Sequence, residues 1–150
     1  MAKITGSCLC GAVRYTAEAD PTSATVCHCL DCQKFTGSAF AALVPVSKDA
    51  MTLTGTLRTF SSPGGSGNPL LRHFCPECGS SIAEETSRRP GMMVFNVGTF
   101  DDPSVAKPGR EIFCIWRATS RDLPRDRIED ERRRGEAPPD RRLPLRRTTL

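Results

Sequence analysis

Apolar residues along the chain come in short runs, many of them alternating with polar ones, and Gly, Pro or Ser closes nearly every run. Alternation of this kind marks half-buried strands, because successive side chains of a strand point to opposite faces. It predicts strands over Ala12–Ala17, Ala39–Val46, Met51–Leu53, Leu57–Phe60, Leu70–Phe74, Ser80–Ala83, Met92–Val97 and Glu111–Trp116. Each is rich in Val, Ile, Phe or Thr, or alternates Ala with Leu. One helical turn is predicted, over Leu30–Phe35, beside a cysteine-rich segment. The stretch PGGSGNP at 63–69 reads as a flexible loop. The expected fold is mainly β, one domain over residues 1–116.

From residue 117 the pattern stops. RDLPRDRIEDERRRGEAPPDRRLPLRRTTL is mostly charge and proline, and its few Leu and Ile make no face that could pack. Residues 117–150 are therefore expected to form a charged, Pro/Arg-rich, disordered tail, with a short solvated helix over Arg125–Arg134 as the alternative. Charge follows the same boundary. Residues 1–116 hold ten Lys/Arg against ten Asp/Glu, and the tail holds the other eleven basic and seven acidic groups, so the net charge of +4 is the tail's 11 − 7. A neutral body gives no electrostatic reason to expect nucleic acid, and the acids interleaved in the tail (Asp126, Glu129, Asp130, Glu131) argue against a binding arm. No run approaches the roughly 18 apolar residues of a membrane span. The opening MAKITGSCLC lacks a secretory apolar core of about 7–15 residues. The expected location is the cytoplasm, with no membrane partner.

That location changes how the eight cysteines are read: Cys8, Cys10, Cys27, Cys29, Cys32, Cys75, Cys78 and Cys114. In a reducing compartment, clustered thiols point to metal or catalysis, whereas a disulfide framework suits a shorter, secreted chain. Zinc holds thiolate sulfurs at about 2.3 Å, so two of them in a tetrahedral site lie roughly 3.8 Å apart. A C-x-C pair on an extended segment points both side chains to one face, and a C-x-x-C pair converges at a tight turn. A glycine often follows such a turn because it needs positive φ; Gly79 after Cys78 and Gly11 after Cys10 fit. Joining the two far-separated motifs, Cys8 and Cys10 with Cys75 and Cys78, closes a four-thiolate structural site.

Cys27, Cys29 and Cys32 remain. Here C-x-C runs into C-x-x-C, and Cys29 and Cys32 share one side of a first helical turn whose N-terminus favours thiolate. Three protein ligands with a fourth position open is the layout of a catalytic zinc. Spacing favours that reading. The competing one is a second closed site completed by His28, His73 or Cys114. Of these, His28 points the other way between two ligands, His73 neighbours Cys75 and suits a packed ring, and Cys114 sits in an apolar FCIW strand as a core residue.

Four motifs carry a resemblance: GSCLCGAVRY (6–15), CHCLDCQKFTGSAF (27–40), RHFCPECGSSI (72–82) and NVGTFDDP (96–103). In this order and with these seven cysteines, the sequence resembles the glutathione-dependent formaldehyde-activating enzyme family, which includes centromere protein V-like domains. The resemblance implies a single zinc-binding domain of folded antiparallel sheets, with Cys8, Cys10, Cys75 and Cys78 on a structural zinc and Cys27, Cys29 and Cys32 on a catalytic one. It also implies two zinc ions per chain, glutathione as co-substrate, and a carbon–sulfur lyase reaction that forms or breaks S-hydroxymethylglutathione. Lys34 is the candidate for a glutathione carboxylate, with Phe35, Gly37 and Ser38, and also Phe40, shaping the pocket wall. Arg14 and Arg72, which flank motif segments, are the other cations that could meet a glutathione carboxylate, but the favoured reading of each is an ordinary exposed cation; Asp101 and Asp102 are read as turn formers. The alternative function is a non-catalytic zinc module of the centromere protein V type; a metal-free, silent relative is a third. The chain departs from the family after Trp116, where an apolar, aromatic segment is replaced by WRATSRDLPRDRIEDERRRG.

Overall fold

The structure, a computed structural model, describes residues 1–117 apart from Ser66. Of the tail expected from residue 117, only Arg117 is included, so that expectation lies outside the described residues.

Among the described residues, ten strands and one α-helix follow one another. They are β1 (Ala2–Ser7), β2 (Arg14–Ala19), β3 (Thr25–Cys27), α1 (Leu30–Thr36), β4 (Ala41–Ser47), β5 (Met51–Thr54), β6 (Arg58–Pro63), β7 (Pro69–Phe74), β8 (Ser81–Thr86), β9 (Met92–Asn96) and β10 (Arg110–Ile112). A three-stranded sheet runs β1-β2-β5, and a seven-stranded sheet runs β10-β3-β4-β9-β8-β7-β6. Every pairing is antiparallel except β10 with β3, which is parallel over three residues. The mainly β expectation holds, with that one parallel pair at the sheet edge.

Two strands escaped the sequence pattern. β1 carries Ile4 as its only large apolar residue, and it is held mainly by its full ladder with β2, from Ala2↔Ala19 to Ser7↔Arg14. β3 is three residues long, too short for an alternation to register. The expected strand over Glu111–Trp116 ends at Ile112 instead. Phe113 takes a left-handed backbone (φ 56°) and Cys114–Trp116 form a 3-10 turn. Cys114 is thereby exposed, not a core residue.

The main core is built on Phe95, Ile82, Val13, Val44 and Val46, all fully buried, with Tyr15 stacked on Phe95 at 4.2 Å between ring centres. Tyr15 places its hydroxyl 2.7 Å from Thr99 Oγ1, which satisfies its one polar group inside the apolar cluster. Cys8 and Cys75 belong to this core. A smaller second cluster gathers Ala41, Leu43 and Val94 around Cys27 and Cys32. The sulfur-bearing segments are thus anchored in two different apolar clusters.

Candidate metal centres

The first centre is built by two turns. After β1, the chain folds back so that Cys8 N–H donates to Val13 C=O and Gly11 N–H to Cys8 C=O, both at 3.0 Å. Between β7 and β8 the same device recurs: Cys75 N–H donates to Ser80 C=O at 3.0 Å and Gly79 N–H to Cys75 C=O at 2.9 Å. Gly11 and Gly79 have φ of 77° and 73°, a backbone that side-chain-bearing residues rarely adopt. Leu9 N–H donates to Ser80 Oγ at 3.0 Å and ties the two turns together. The sulfurs of Cys8, Cys10, Cys75 and Cys78 all lie within 4.8 Å of one another, with Cys8–Cys10 at 3.4 Å and Cys10–Cys75 at 3.8 Å.

Those separations are non-bonded, and close to what a tetrahedral zinc requires. The protonation pattern points the same way. Burial is the largest influence on the Cys8 and Cys78 thiols and works against the thiolates, yet Val13 N–H with the Cys10 and Cys75 thiols on Cys8, and Ser80 with Cys10 on Cys78, together outweigh it, and Cys78 falls to about 6. Burial pushes Cys75 up. Ala12 N–H favours the Cys10 thiolate, but the neighbouring sulfurs, Cys8 foremost, push Cys10 up to about 12. Four sulfurs this close cannot all ionise unless a cation replaces the shared protons, and a divalent ion fits that demand.

The second centre comes from one short segment. β3 delivers Cys27 buried; Cys29 is the N-cap of α1, its sulfur accepting from Cys32 N–H at 3.4 Å; Cys32 lies buried in the first turn. A thiol in the N-cap place normally held by Ser or Asp turns all three sulfurs inward, within 4.8 Å of one another. The Cys32 thiol donates to Cys27 and lowers it to about 6, while the same bond, with burial, pushes Cys32 up, and burial raises Cys29. This set too is one a dication would complete. Among the described residues, no other Cys, His, Asp or Glu joins it within that distance. His28 turns instead toward Glu111, and His73 is held by Thr59 Oγ1 at 2.9 Å and Glu85 Oε1 at 3.0 Å. Cys114 groups with His28 and Glu111.

Cys27, Cys29 and Cys32 open onto a cavity of about 650 Å³ whose lining also includes Arg72 and Glu84. Leu43, Leu70, Ile112 and Trp116 supply apolar surface. At Arg72 the sequence favours an exposed cation over a partner for a substrate carboxylate, and the structure corrects the exposure. Arg72 is 4% exposed, not an exposed cation, because it sits in the middle of β7, opposite Glu84 of β8 and Phe60 of β6. Its Nη1 donates to Ser62 Oγ at 2.5 Å, its Nη2 is 3.6 Å from Asp31 Oδ2, and the guanidinium stands 5.8 Å from the Phe35 ring centre. Nε and Nη2 have no hydrogen-bond partner. Burial raises the Glu84 carboxyl, and Arg72 partly offsets this. A cation inside LLRHF, directly before the Cys75 turn, was the available signal.

The expected pocket residues divide. Lys34, Phe35 and Gly37 are all absent from the cavity lining; Lys34 is exposed, and Phe35 stands behind the lining with its ring centre 5.8 Å from the Arg72 guanidinium. Ser38 and Phe40 line a separate, smaller cleft of about 340 Å³ with Asn96 and Thr99. Asp102 caps the turn that follows it, accepting from Ser104 N–H at 3.0 Å. No helix among the described residues is long and apolar enough to cross a membrane.

A family model described as glutathione-dependent formaldehyde-activating enzyme matches residues 3–115, which include both cysteine clusters. The fold is similar to the crystal structure of a Rhodobacter sphaeroides protein, with a TM-score of 0.57 and 21% identity, covering 71% of this chain and 98% of that one. A search of curated proteins finds no significant match.

Proposed function

The chain belongs to the family of glutathione-dependent formaldehyde-activating enzymes, and from that premise we propose that it is a zinc-dependent carbon–sulfur lyase acting on a thiol–aldehyde adduct of the S-hydroxymethylglutathione kind. One observation carries the proposal: three converging sulfurs, with no fourth donor among the described residues, face a cavity that also holds a buried arginine with unpaired N–H groups. In breakdown, the carbon–sulfur bond of RS–CH₂–OH cleaves and its electron pair leaves with sulfur. The hydroxyl loses its proton as the carbonyl forms, and the departing thiolate regains one, so the products are RSH and the aldehyde.

Cys27, Cys29 and Cys32 would hold the catalytic ion, and Cys8, Cys10, Cys75 and Cys78 the structural one. A zinc ion bound by the three thiolates supplies Lewis-acid stabilisation of negative charge on sulfur or carbonyl oxygen. Three thiolates outweigh the charge of a dication, so an incoming anionic thiol is repelled unless a fixed cation stands close by. Arg72 is that cation, held by Ser62 and set against Phe35; its Nε and Nη2 make no hydrogen bond within the protein and suit a carboxylate side by side, which would take the place of the long Asp31 contact at 3.6 Å. Arg88 lines the same cavity and offers a second cation for the other carboxylate of a glutathione-type thiol. The apolar wall excludes water from the adduct and strengthens these contacts.

The test is formaldehyde release from S-hydroxymethylglutathione by the full-length protein, followed against the spontaneous rate. Release above that rate, lost in Cys29→Ser, is expected. Protein that carries two zinc ions per chain and changes the rate in neither direction overturns the proposal.

A further inference from the structure

Along the segment that carries the open triplet, His28 projects to the opposite side from Cys27 and Cys29. Its ring is buried, 4% exposed, with Phe40 at 5.9 Å between ring centres. Neither Nδ1 nor Nε2 has a hydrogen-bond partner. A buried imidazole with both nitrogens unpaired calls for an occupant that the protein itself does not supply. Nε2 is 3.9 Å from Glu111 Oε2, and that oxygen is 4.0 Å from Cys114 Sγ. The ring nitrogen, the carboxylate oxygen and the sulfur all lie within 4.8 Å of one another. Arg117 lies against the Glu111 carboxylate, with its Nη2 3.6 Å from Cys114 Sγ. The same two groups that face His28 thus already hold a cation at their outer side.

We propose that His28, Glu111 and Cys114 form a third metal site, separate from both thiol clusters, that takes a first-row divalent ion such as zinc. An imidazole nitrogen, a thiolate and one carboxylate oxygen suit a borderline ion, and are too few and too soft for calcium or magnesium. On binding, Cys114 loses its proton to solvent, Arg117 is displaced, and water completes the coordination. The consequence is mechanical. β10 pairs with β3 over only three residues, extended by His28 N–H donating to Ile112 C=O at 3.1 Å. An ion shared by His28, Glu111 and Cys114 clips this short edge, and with it Ile112, Phe113 and Trp116, which wall the cavity of the open triplet.

Because its ligands are none of the seven cysteines of the other two centres, the site can fail without touching the lyase proposal. Full-length protein already carrying two zinc ions is titrated with further zinc, or with cobalt, and followed by the emission of Trp116, the only tryptophan in the chain. A third equivalent with a change in emission is expected. Cys114→Ala and Glu111→Gln, both on exposed side chains, should weaken that step by at least about tenfold and leave the first two ions bound. Arg117→Ala should tighten it by removing the competitor. Saturation at two equivalents overturns the proposal, as does a third equivalent that persists unchanged in the Cys114→Ala/Glu111→Gln double variant.

Discussion

The sulfurs of Cys8, Cys10, Cys75 and Cys78 arrive on two turns 65 residues apart, whereas those of Cys27, Cys29 and Cys32 arrive on six consecutive residues. An ion in the first set closes a long loop and fastens β1 to the β7–β8 turn inside the main core. An ion in the second closes no loop; the segment is already held by β3, the capped helix and a satellite cluster. The same side chain therefore does different work according to what its partners already fix. On the proposed reading, the first centre spends its binding energy on folding and the second keeps its own for a ligand.

Opposed substitutions break this comparison most directly. Cys75 is fully buried, and a structural zinc contributes about 10–16 kcal/mol in small zinc domains, against net domain stabilities of about 5–15 kcal/mol. Cys75→Ser should abolish the cooperative thermal transition, read by circular dichroism, and lose one zinc per chain. Cys29→Ser should lose one zinc as well but keep the transition. Its serine can still cap α1, so the melting temperature should move by less than about 8 °C, the effect of roughly 1 kcal/mol in a domain of this size. Lyase activity should drop at least about 100-fold, since several kcal/mol of charge stabilisation go with the ion. If both variants melt alike, the division of roles is refuted.

How much of this was legible beforehand depended on whether the signal was local. The seven cysteines sort into four and three by spacing alone, because C-x-C and C-x-x-C fix sulfur geometry within one turn of chain. Strands with a sustained apolar run, such as β4, β7 and β9, were visible too. β1 was not, since its stability comes from pairing with β2 and not from its own apolar content. Cys114 was misplaced because an apolar FCIW run hides the left-handed Phe113 that ends the strand. Arg72 was misjudged for a similar reason. Whether a cation in a strand is buried depends on which sheet face the neighbouring strands cover, and that depends on the order β6-β7-β8, not on residues 70–74.

Arg72 sharpens the comparison within the second centre. Removing a charge-assisted donor pair from a carboxylate costs about 1.5–3 kcal/mol, so Arg72→Gln should raise KM for the glutathione adduct roughly 10–100-fold with kcat little changed. The fold should survive, because Asp31, 3.6 Å away, is half exposed, and Glu84, whose carboxyl is already pushed up by burial, can take a proton once Arg72 no longer offsets that burial. The adduct of a thiol lacking carboxylates should show no such loss. An equal penalty for both adducts would mean that Arg72 shapes the cavity without gripping a charge.

The smallest expected effect belongs to Lys34. It stands exposed in the last turn of α1, outside the lining of the cavity that holds Arg72 and the triplet. Its favourable interaction with the helix C-terminus is about 0.3–1 kcal/mol and screened by salt, so Lys34→Ala should lower the melting temperature by no more than about 8 °C. A solvated cation that touches no ligand leaves KM within about twofold. The pair Lys34→Ala and Arg72→Gln therefore decides on which side of α1 the thiol lies. If Lys34→Ala raises KM as far as Arg72→Gln does, the ligand runs over the outer face of the helix toward Ser38 and its cleft. The buried arginine would then have no substrate to hold.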